Sequence, residues 1–370
     1  MTRVAFVLEQ ALGHATHARN LERGISRDPG VQASWLPIEF RATGVGRRIP
    51  VFNSNWTVRA GVRARARLTR LLRREPADAL FFHTQVPAVL CGSLMRRLPT
   101  IVSVDATPKQ FDDLGAAYGH SAGPDSLERL KFRLNQGCFA RAARVVAFSR
   151  WVEDSLVADY GVDRGKVEVV RPGLDVTRTP DVDRRGRQGS QPLRVLFVGG
   201  DFARKGGATL LAAMDLLADL DVELDVVTRS AVDAAPRRTV HDKLSADSTE
   251  LLDLYAAADV FCLPTRADAL GLVFAEAGAA GLPLVGTDIG AVAEIVQDGV
   301  TGVIVPVDDP EALAAALRTL LGDEELRIRY GTAARTLVRS EYDERATSAR
   351  IVALLHEVAD ERGSSSKTPV

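Results

Sequence analysis

Cysteine is scarce in this sequence, and long apolar runs are absent. The 370 residues include three cysteines, Cys91, Cys138 and Cys262, which are widely spaced and set in apolar contexts. An odd, scattered set forms neither a disulfide framework nor a metal-ligand cluster, so we expect buried reduced thiols in a cytoplasmic protein without a bound metal. No apolar run approaches the roughly 18 residues of a membrane span, and the amino-terminal VAFVL predicts a strand, not a signal peptide.

Acidic residues are few in the first half of the chain, and basic residues are few in the second. Residues 1–180 hold 27 Lys+Arg and 17 Asp+Glu, a net of +10, whereas residues 181–370 hold 20 and 31, a net of −11. Hydrophobic residues at 46% and charged residues at 26% are typical of a soluble globular protein. The length favours two domains of about 150–200 residues each.

Short apolar, β-branched runs alternate with amphipathic helical stretches through both halves. The runs are 3–8, 32–36, 79–82, 100–104, 144–148 and 167–170, then 193–198, 222–227, 260–263, 284–286 and 303–305. Two βαβ series predict an α/β fold with two doubly wound parallel sheets and a ligand cleft. The predicted division is a domain over 1–180, a polar linker over 181–192, a domain over 193–341, a helix over 342–361 and a disordered tail over 362–370.

The most informative segment is 264–290, PTRADALGLVFAEAGAAGLPLVGTDIG. Two carboxylates, Asp268 and Glu276, lie eight positions apart across a glycine-containing turn that leads into a helix. We expect unpaired backbone amides at the helix start, a site for a diphosphate, at Gly271, Leu272 and Val273. Glu276 lies about one turn further along and can reach hydroxyls of a sugar or ribose, because a carboxylate accepts two hydrogen bonds at once.

This segment resembles the donor-site signature of the family-4 retaining glycosyltransferases of the GT-B fold: an acidic residue, seven residues, then Glu. The continuation over 281–306 resembles the same family, as do 145–175 and the strand and loop VLFVGGDFARKGG over 195–207. The resemblance implies two Rossmann-like domains across a cleft, with the final helix crossing back to the first. It also implies metal-independent transfer of a sugar from a nucleoside-diphosphate-sugar, as co-substrate, to an acceptor hydroxyl.

A glycine-rich loop with one lysine opens the second predicted domain. Its glycines let the backbone approach a phosphate, and the Lys205 ammonium can balance the charge of a leaving diphosphate. The alternative is a strand-to-helix turn with a solvated lysine. Where the family usually has an arginine after the strand's glycine, this sequence has Gly200. Arg204 and Arg266 are the candidate replacements, and the sequence does not choose between them.

The resemblance also implies the remaining donor contacts. Glu276 resembles the family's ribose-binding glutamate, and Asp268 stands where the family commonly has a Glu that contacts the transferred sugar. Asp268 could instead cap the helix, or do both. Lys243 and Leu244 lie where the family commonly meets the nucleotide base. Thr265 and Arg266 lie at the end of a strand, in the expected cleft. For both residues, a role as ordinary loop residues fits the sequence as well as ligand binding does.

The first half offers fewer signals for the acceptor. Gly13, in LEQALGHATHARN, resembles the family's amino-terminal glycine loop, although a structural turn explains it nearly as well. Asp105 ends a buried strand where the family often has His, and a carboxylate there can orient or deprotonate an acceptor hydroxyl. An Asx-type turn before Pro108 is the equal alternative. We expect surface or packing roles for three histidines, His14, His17 and His83.

The stretch 57–74 carries seven arginines and no acidic residue. Its apolar residues fall near one helical face: Val58, Val62, Leu68, Leu71 and Leu72. Such a basic amphipathic helix can lie on anionic lipid, each cation adding about 1 kcal/mol, and would place the protein peripherally on the inner face of the membrane. The alternative is a solvated surface helix. We do not expect nucleic-acid binding, because no matching fold motif is present and the second half is acidic.

Together these features predict a retaining glycosyltransferase whose chemistry is carried by Lys205, Asp268, Glu276 and Asp105. Two alternatives stay open. A glycoside hydrolase also uses two carboxylates, although the phosphate-binding loop argues against it. A sugar-nucleotide-binding protein without turnover is the other alternative, because Gly200 and Asp105 depart from the family's pattern.

Overall fold

The structure is a computed structural model that describes residues 1–10, 14–39, 55–118, 123–179, 182, 185, 192–245 and 248–365. The chain divides into two compact units. The first comprises Met1–Asp112, Ser121–Gly173 and Glu344–Val370, and the second comprises Asp113–His120 and Leu174–Asp343. Gly13 and most of the predicted linker over 181–192 lie outside the described residues.

The first unit is built on a six-stranded parallel sheet. Its strands are β1 (Thr2–Gln10), β2 (Val31–Glu39), β3 (Ala79–Phe82), β4 (Thr100–Val104), β5 (Arg144–Ala147) and β6 (Val167–Val169). They lie in the order β2-β1-β3-β4-β5-β6. The helices between them are α1 (His14–Ile25), α2 (Trp56–Leu72), α3 (Gln85–Ala88), α4 (Gly92–Met95), α5 (Pro108–Asp113), α6 (Asp125–Arg141) and α7 (Arg150–Ala158).

The second unit is built on another six-stranded parallel sheet. Its strands are β7 (Leu193–Val198), β8 (Val222–Val227), β9 (Arg238–His241), β10 (Val260–Cys262), β11 (Leu284–Thr287) and β12 (Gly302–Val305), in the order β12-β11-β10-β7-β8-β9. Its helices are α8 (Gly207–Asp215), α9 (Thr249–Ala257), α10 (Leu272–Ala279), α11 (Pro310–Gly322) and α12 (Glu324–Glu341). The predicted fold class is confirmed, although the sequence did not indicate β9, a short edge strand whose residues RTVH are mostly polar.

Both sheets are buried on their two faces, which explains the near-continuous apolar runs in their strands. In the first unit, one face of the sheet is covered by residues of α2, α3, α4, α6 and α7. The three cysteines are buried and free, as predicted, and burial raises the pKa of Cys91 and Cys138 to about 12. Among the described helices, none is both long enough and apolar enough to cross a membrane.

The last helix, α13 (Glu344–Ser365), belongs to the first unit and packs against α1. It buries an apolar row along one side: Ile351, Leu354, Leu355 and Val358. The helix continues through Ser365, so residues 362–365 of the predicted tail are helical. No proline interrupts this stretch, and each added helical residue gains a backbone hydrogen bond.

An ion-pair cluster fastens the start of α13 to α1. The Glu344 carboxylate accepts hydrogen bonds from Arg23 Nε at 3.0 and 3.1 Å and from Arg27 Nη1 at 3.1 Å. The Glu344 side chain is 4% exposed, whereas Arg23 and Arg27 are 38% and 54% exposed. The carboxylate also lies in the first turn of the helix, where the helix dipole favours negative charge.

We predict that Glu344→Ala lowers the free energy of unfolding of the first unit by about 1–2 kcal/mol, because it leaves two arginines without their carboxylate. Trp35, Trp56 and Trp151 are the chain's three tryptophans and all belong to the first unit, so fluorescence during denaturant unfolding reports on that unit. Glu357→Ala is the control on the same helix, since its ion pair with Arg350 is half-exposed and its loss is expected to cost less than about 0.5 kcal/mol. Equal effects of the two substitutions would contradict this account.

Candidate functional site

The order of strands in the second sheet reverses between β7 and β10, which lie side by side. In parallel α/β sheets, ligands bind beyond the carboxyl ends of the strands at such a switch point. Two loops begin there. The β7 loop, residues 199–206, contains Lys205, and the β10 loop, residues 263–271, contains Asp268. The topology therefore brings the two predicted donor-binding segments to one edge of one sheet.

The two loops touch at Gly206, which precedes α8. Gly206 has a φ of 75°, and a Cβ at this position would overlap the carbonyl oxygen of Pro264. A second tie lies beside it, where the Arg266 amide donates to the Arg204 carbonyl at 2.9 Å. The loops can approach this closely because residue 206 has no side chain.

Lys205 and Asp268 form an ion pair across the loops. The Lys205 ammonium donates to Asp268 Oδ2, and the two side chains are only 12% and 14% exposed. An ion pair shielded to this extent is stronger than an exposed one, because water screens it less. The structure thus joins the predicted phosphate-binding lysine to the predicted sugar-contacting carboxylate.

The start of α10 lies beside this ion pair. Gly271 is the N-cap residue with a φ of 70°, and no side chain caps the helix. A Cβ on Gly271 would lie 2.8 Å from the Phe274 ring and 3.2 Å from Asp268 Oδ2. The N-cap residue is therefore Gly271, and the Asp268 carboxylate instead bonds to Lys205. Leu272 and Val273 are the first two helical residues, whose amides have no partner within an α-helix and are suited to an anion.

Glu276 lies one turn into α10 and is held by a tyrosine on α9. The Tyr255 hydroxyl donates to Glu276 Oε2 at 2.9 Å, and the tyrosine is 2% exposed. Burial, and then the nearby Glu276 charge, raise the pKa of Tyr255 well above its ordinary range. The hydroxyl therefore stays protonated and fixes the carboxylate. Sequence analysis missed Tyr255, since no spacing rule links it to Glu276.

The two candidate arginines occupy different environments. Arg204 donates from Nη1 to the Ala267 carbonyl at 2.7 Å, and its guanidinium lies over the Tyr118 ring, 4.6 Å from the centroid. Its side chain is 17% exposed. Arg266 instead donates from Nε to Asp308 at 2.6 Å, and both of those side chains are more than 40% exposed. Arg204 thus lies against the residue before Asp268, whereas Arg266 forms an exposed ion pair.

The other predicted donor contacts differ in accessibility. Thr265 is fully buried, and its hydroxyl donates to the Ala267 carbonyl at 3.1 Å, which favours the structural alternative for this residue. Lys243 is exposed and Leu244 is half-buried in the segment between β9 and α9. Within the described residues, no group of three or more His, Cys, Asp or Glu side chains is arranged to hold a metal.

In the first unit the strand order reverses between β1 and β3, and a buried carboxylate lies at that point. Glu9, 3% exposed, accepts hydrogen bonds from the Trp56 indole at 2.5 Å and from the Thr84 hydroxyl. Sequence analysis missed Glu9. Asp105 follows β4 in the same sheet and is half-buried.

Packing roles are observed for two of the histidines, because His17 and His83 are buried and their rings stack with centroids 4.8 Å apart.

The predicted basic helix exists as α2, but its apolar side is occupied. Leu68, Ala60 and Ala64 are fully buried against the first sheet, and Arg59 is 5% exposed. The Arg63 and Arg67 guanidinium groups donate to backbone carbonyls of Glu39 and Pro37. The outer surface of α2 therefore offers charge without an apolar stripe. Its exposed arginines are Arg65, Arg67, Arg70, Arg73 and Arg74.

Comparison with known proteins gives one consistent result. Two family profiles match the chain, described as "Glycosyl transferases group 1" over residues 192–323 and "Glycosyltransferase Family 4" over residues 12–178. A glycogen synthase of Mycobacterium tuberculosis is 30% identical over 311 residues, which are 78% of this chain and 72% of that protein. A protein of Mycolicibacterium smegmatis named GDP-mannose-dependent alpha-(1-6)-phosphatidylinositol monomannoside mannosyltransferase is 28% identical, covering 78% and 79%.

Solved structures agree with these matches at the level of the fold. The sucrose-phosphate synthase of Thermosynechococcus elongatus superimposes with a TM-score of 0.75 at 18% identity, covering 97% of this chain and 99% of that one. The Anabaena protein HepE in complex with UDP-glucose superimposes with a TM-score of 0.69 at 15% identity, covering 96% and 100%. At these identities the likeness concerns the fold alone.

The contact at Gly206 generates a matched pair of substitutions. We predict that Gly206→Ala destabilises the second unit by at least about 2 kcal/mol, because the new Cβ meets the Pro264 carbonyl and the positive φ adds strain. Gly200→Ala, six residues earlier, should stay within about 0.5 kcal/mol, since no atom lies within 4 Å of its Cβ position. Scanning calorimetry of both variants checks this. A Gly206→Ala protein as stable as Gly200→Ala would contradict the close contact.

Proposed function

This chain belongs to glycosyltransferase family 4 (group 1), whose members share the GT-B fold, and from that premise we propose that it transfers a hexose from a nucleoside-diphosphate-sugar to an acceptor hydroxyl, with retention of configuration and without a metal. The observation that carries the proposal is the convergence of Lys205, Asp268 and the uncapped start of α10 at one switch point. A cation beside a helix amino terminus is suited to a diphosphate.

The leaving diphosphate is bound by Lys205, by the amides of Leu272 and Val273, and by Arg204. Both arginines have an acidic neighbour, Asp201 at 3.4 Å for Arg204 and Asp308 at 2.6 Å for Arg266. Arg204 is preferred because its guanidinium lies against the β10 loop and is sheltered from water, whereas Arg266 is exposed. A sheltered guanidinium interacts more strongly with phosphate than an exposed one. This assignment supplies the positive charge that Gly200 lacks.

The remaining donor groups follow the same geometry. Glu276 binds the ribose hydroxyls, with its carboxylate oriented by Tyr255, and Asp268 contacts the transferred sugar. The base lies near Lys243 and Leu244. The M. smegmatis relative is named for GDP-mannose, and HepE has been crystallised with UDP and UDP-glucose, so both donors belong in the first assays.

The ion pair bears on the mechanism. Asp268 is neutralised by Lys205, and a carboxylate engaged by an ammonium is a weak nucleophile. We therefore favour front-face attack by the acceptor hydroxyl, in which the departing diphosphate takes the hydroxyl proton. Catalysis then consists of positioning the two substrates and stabilising an oxocarbenium-like state and the leaving charge. The same neutralisation makes Asp268 a poor partner in a two-carboxylate hydrolase.

The acceptor is assigned to the first unit. We assign to Asp105, which follows β4, the orientation or deprotonation of the acceptor hydroxyl. Glu9 lies at the end of β1 in the same sheet, and a buried carboxylate held by two donors can fix the surrounding side chains. We propose a lipid-linked acceptor and peripheral work at an anionic membrane, toward which the exposed arginines of α2 contribute long-range attraction.

We predict that Lys205→Ala lowers kcat/KM for the donor by about 10²–10³-fold and that Glu276→Gln lowers it by about 10–100-fold, because each loses contacts to the charged or hydroxyl groups of the donor. The measurement uses labelled UDP-glucose, GDP-mannose and related donors, with water and sugar or lipid acceptors. Retention is read from the anomeric configuration of the product, and metal independence from activity in EDTA. Glu250→Gln, an exposed glutamate on α9, is the control.

Several outcomes would overturn the proposal. No binding or turnover of any nucleotide-sugar, with both variants indistinguishable from wild type, rejects a donor site at this switch point. Tight nucleotide binding without product across the acceptor set supports the non-catalytic alternative. Cleavage of simple glycosides without a nucleotide supports a hydrolase. An inverted product rejects the front-face mechanism alone.

A second matched pair tests the arginine assignment. We predict that Arg204→Gln raises the dissociation constant for the nucleoside diphosphate by about 10–100-fold, because a charge-assisted hydrogen bond is lost, and that Arg266→Gln changes it by less than about threefold. Titration calorimetry gives both values. Arg204→Lys keeps the charge and should recover part of the affinity, which a purely structural role would not produce. A larger loss in Arg266→Gln would reverse the assignment.

A further inference from the structure

An exposed apolar stripe runs along α6 in the first unit. Leu127, Leu130 and Leu134 are 52%, 52% and 39% exposed, and Phe111 on α5 is 37% exposed. At 3.6 residues per turn, the three leucines fall within about 60° of one another on the helix. The opposite side of α6 packs against the core through Phe132 and Phe139. The three leucine side chains therefore lie outside the core of the first unit.

Two arginines lie beside the stripe on the same helix. Arg129 and Arg133 are exposed, one turn apart, and neither forms an ion pair within the part of the chain that the structure describes. They lie about 100° around α6 from the leucines, on the side that borders a groove. The exposed surface of α6 thus divides lengthwise into an apolar edge and a basic edge.

The groove beside the basic edge has a volume of about 510 Å³. Phe132 and Tyr160, which line it, stack with centroids 4.9 Å apart, and the Tyr160 hydroxyl accepts from the Lys109 amide at 3.1 Å. Its cations are Lys109, Arg129, Lys131 and Arg133, and its carboxylates are Asp112 and Glu128, a net of +2. Both carboxylates bond to Lys131, at 2.7 and 3.4 Å, and the Lys109 ammonium lies 3.9 Å from Asp159 outside the groove. The positive charge of the groove therefore comes mainly from Arg129 and Arg133.

We propose that this surface, Phe111 with the leucines and arginines of α6 and the adjoining groove, docks the protein on an anionic lipid bilayer. Apolar side chains of an interfacial helix enter the headgroup boundary, and neighbouring cations bind the lipid phosphates. The groove takes one anionic headgroup, with its phosphate among Lys109, Arg129 and Arg133. Exposed apolar patches rimmed by polar groups mark interaction sites of this kind.

The charge beside the leucines favours lipid over a second copy of the chain. A two-fold pairing that sets two α6 helices antiparallel through their leucines would place the basic edges of both copies on the same side of the interface, where like charges repel. An anionic surface instead complements the arginines. The contrast with α2 supports the same choice, since α2 buries Ala60, Ala64 and Leu68 in the core and exposes its arginines with a single large apolar residue, Val62.

The docking surface is close in the chain to the proposed acceptor residue. Asp105 follows β4, and α5, which begins at Pro108, contributes Lys109 to the groove. A lipid-linked acceptor held there would have its headgroup near the end of β4. The inference of membrane docking does not depend on the proposed transfer reaction, and it is tested without donor or acceptor.

The test is flotation of the full chain with vesicles of phosphatidylcholine, with and without phosphatidylglycerol. We expect flotation with the anionic vesicles that weakens as salt rises, because the Debye length falls from about 10 Å at 0.1 M to about 3 Å at 1 M. Leu127→Ser with Leu130→Ser and Leu134→Ser should lower the partition coefficient by at least about tenfold, since three partly buried leucines are lost. Arg129→Gln with Arg133→Gln should remove most of the preference for phosphatidylglycerol.

Matched controls separate docking from general effects. Leu216→Ser, at a leucine of similar exposure in the second unit, should float like wild type. Arg65→Gln with Arg70→Gln and Arg73→Gln, on α2, should weaken flotation less than the α6 arginine pair. Unchanged tryptophan fluorescence and melting of each variant show that the fold is kept. Single Leu130→Ser gives a second, milder variant.

Four results would overturn the proposal: wild-type protein that does not float at low salt, leucine variants that float like wild type, equal flotation without phosphatidylglycerol, or an oligomer that the leucine variants convert to monomer. The last result would assign the stripe to an interface between copies. A further experiment adds inorganic phosphate while the total ionic strength is held constant. If the phosphate displaces the protein from the vesicles, the groove binds a soluble phosphate instead of a lipid headgroup.

Discussion

The donor region depends on one steric constraint, the absence of a side chain at residue 206. The β7 and β10 loops meet there, backbone against backbone, and the Lys205–Asp268 ion pair forms across the contact. Without this approach the ammonium and the carboxylate would each face water, and the pair would be weak. The glycine at residue 271 acts in the same way at the start of α10, where it lets Asp268 lie beside the helix terminus. Two missing Cβ atoms therefore set the charge arrangement of the site.

The sequence predicted the fold class and the donor segments because their signals are local. Alternating strand and helix patterns imply parallel sheets. Lys205 and Asp268 each follow a strand within a short glycine-bearing loop, and Glu276 lies in the first turns of the helix that follows the second loop. Tyr255 and Glu9 were missed because their partners are distant in the chain, and no spacing identifies them. Strand β9 was missed because its edge position tolerates polar residues. The choice between Arg204 and Arg266 also required coordinates, since it rests on which guanidinium is sheltered.

The two amphipathic helices of the first unit illustrate the limit of periodicity. A helix pattern shows that one side is apolar, but it does not show whether that side faces the core or the outside. The conspicuous arginine-rich helix, α2, turns its apolar side inward. The less conspicuous α6 has apolar residues on two sides, and only one of these sides is covered. The exposed stripe is therefore a property of packing, which the sequence of α6 alone does not reveal.

The return of α13 to the first unit has a consequence for the order in which the chain folds on the ribosome. The first unit contains both ends of the described chain, so its sheet lacks α13 until residues 344–365 have been synthesised. All six strands of the second sheet lie between residues 193 and 305, and that sheet can be completed earlier. Amino-terminal domains usually fold first during synthesis, but here the first unit can be completed only after the second sheet. Until then, the side of the first sheet that α1 and α13 share stays partly uncovered during translation.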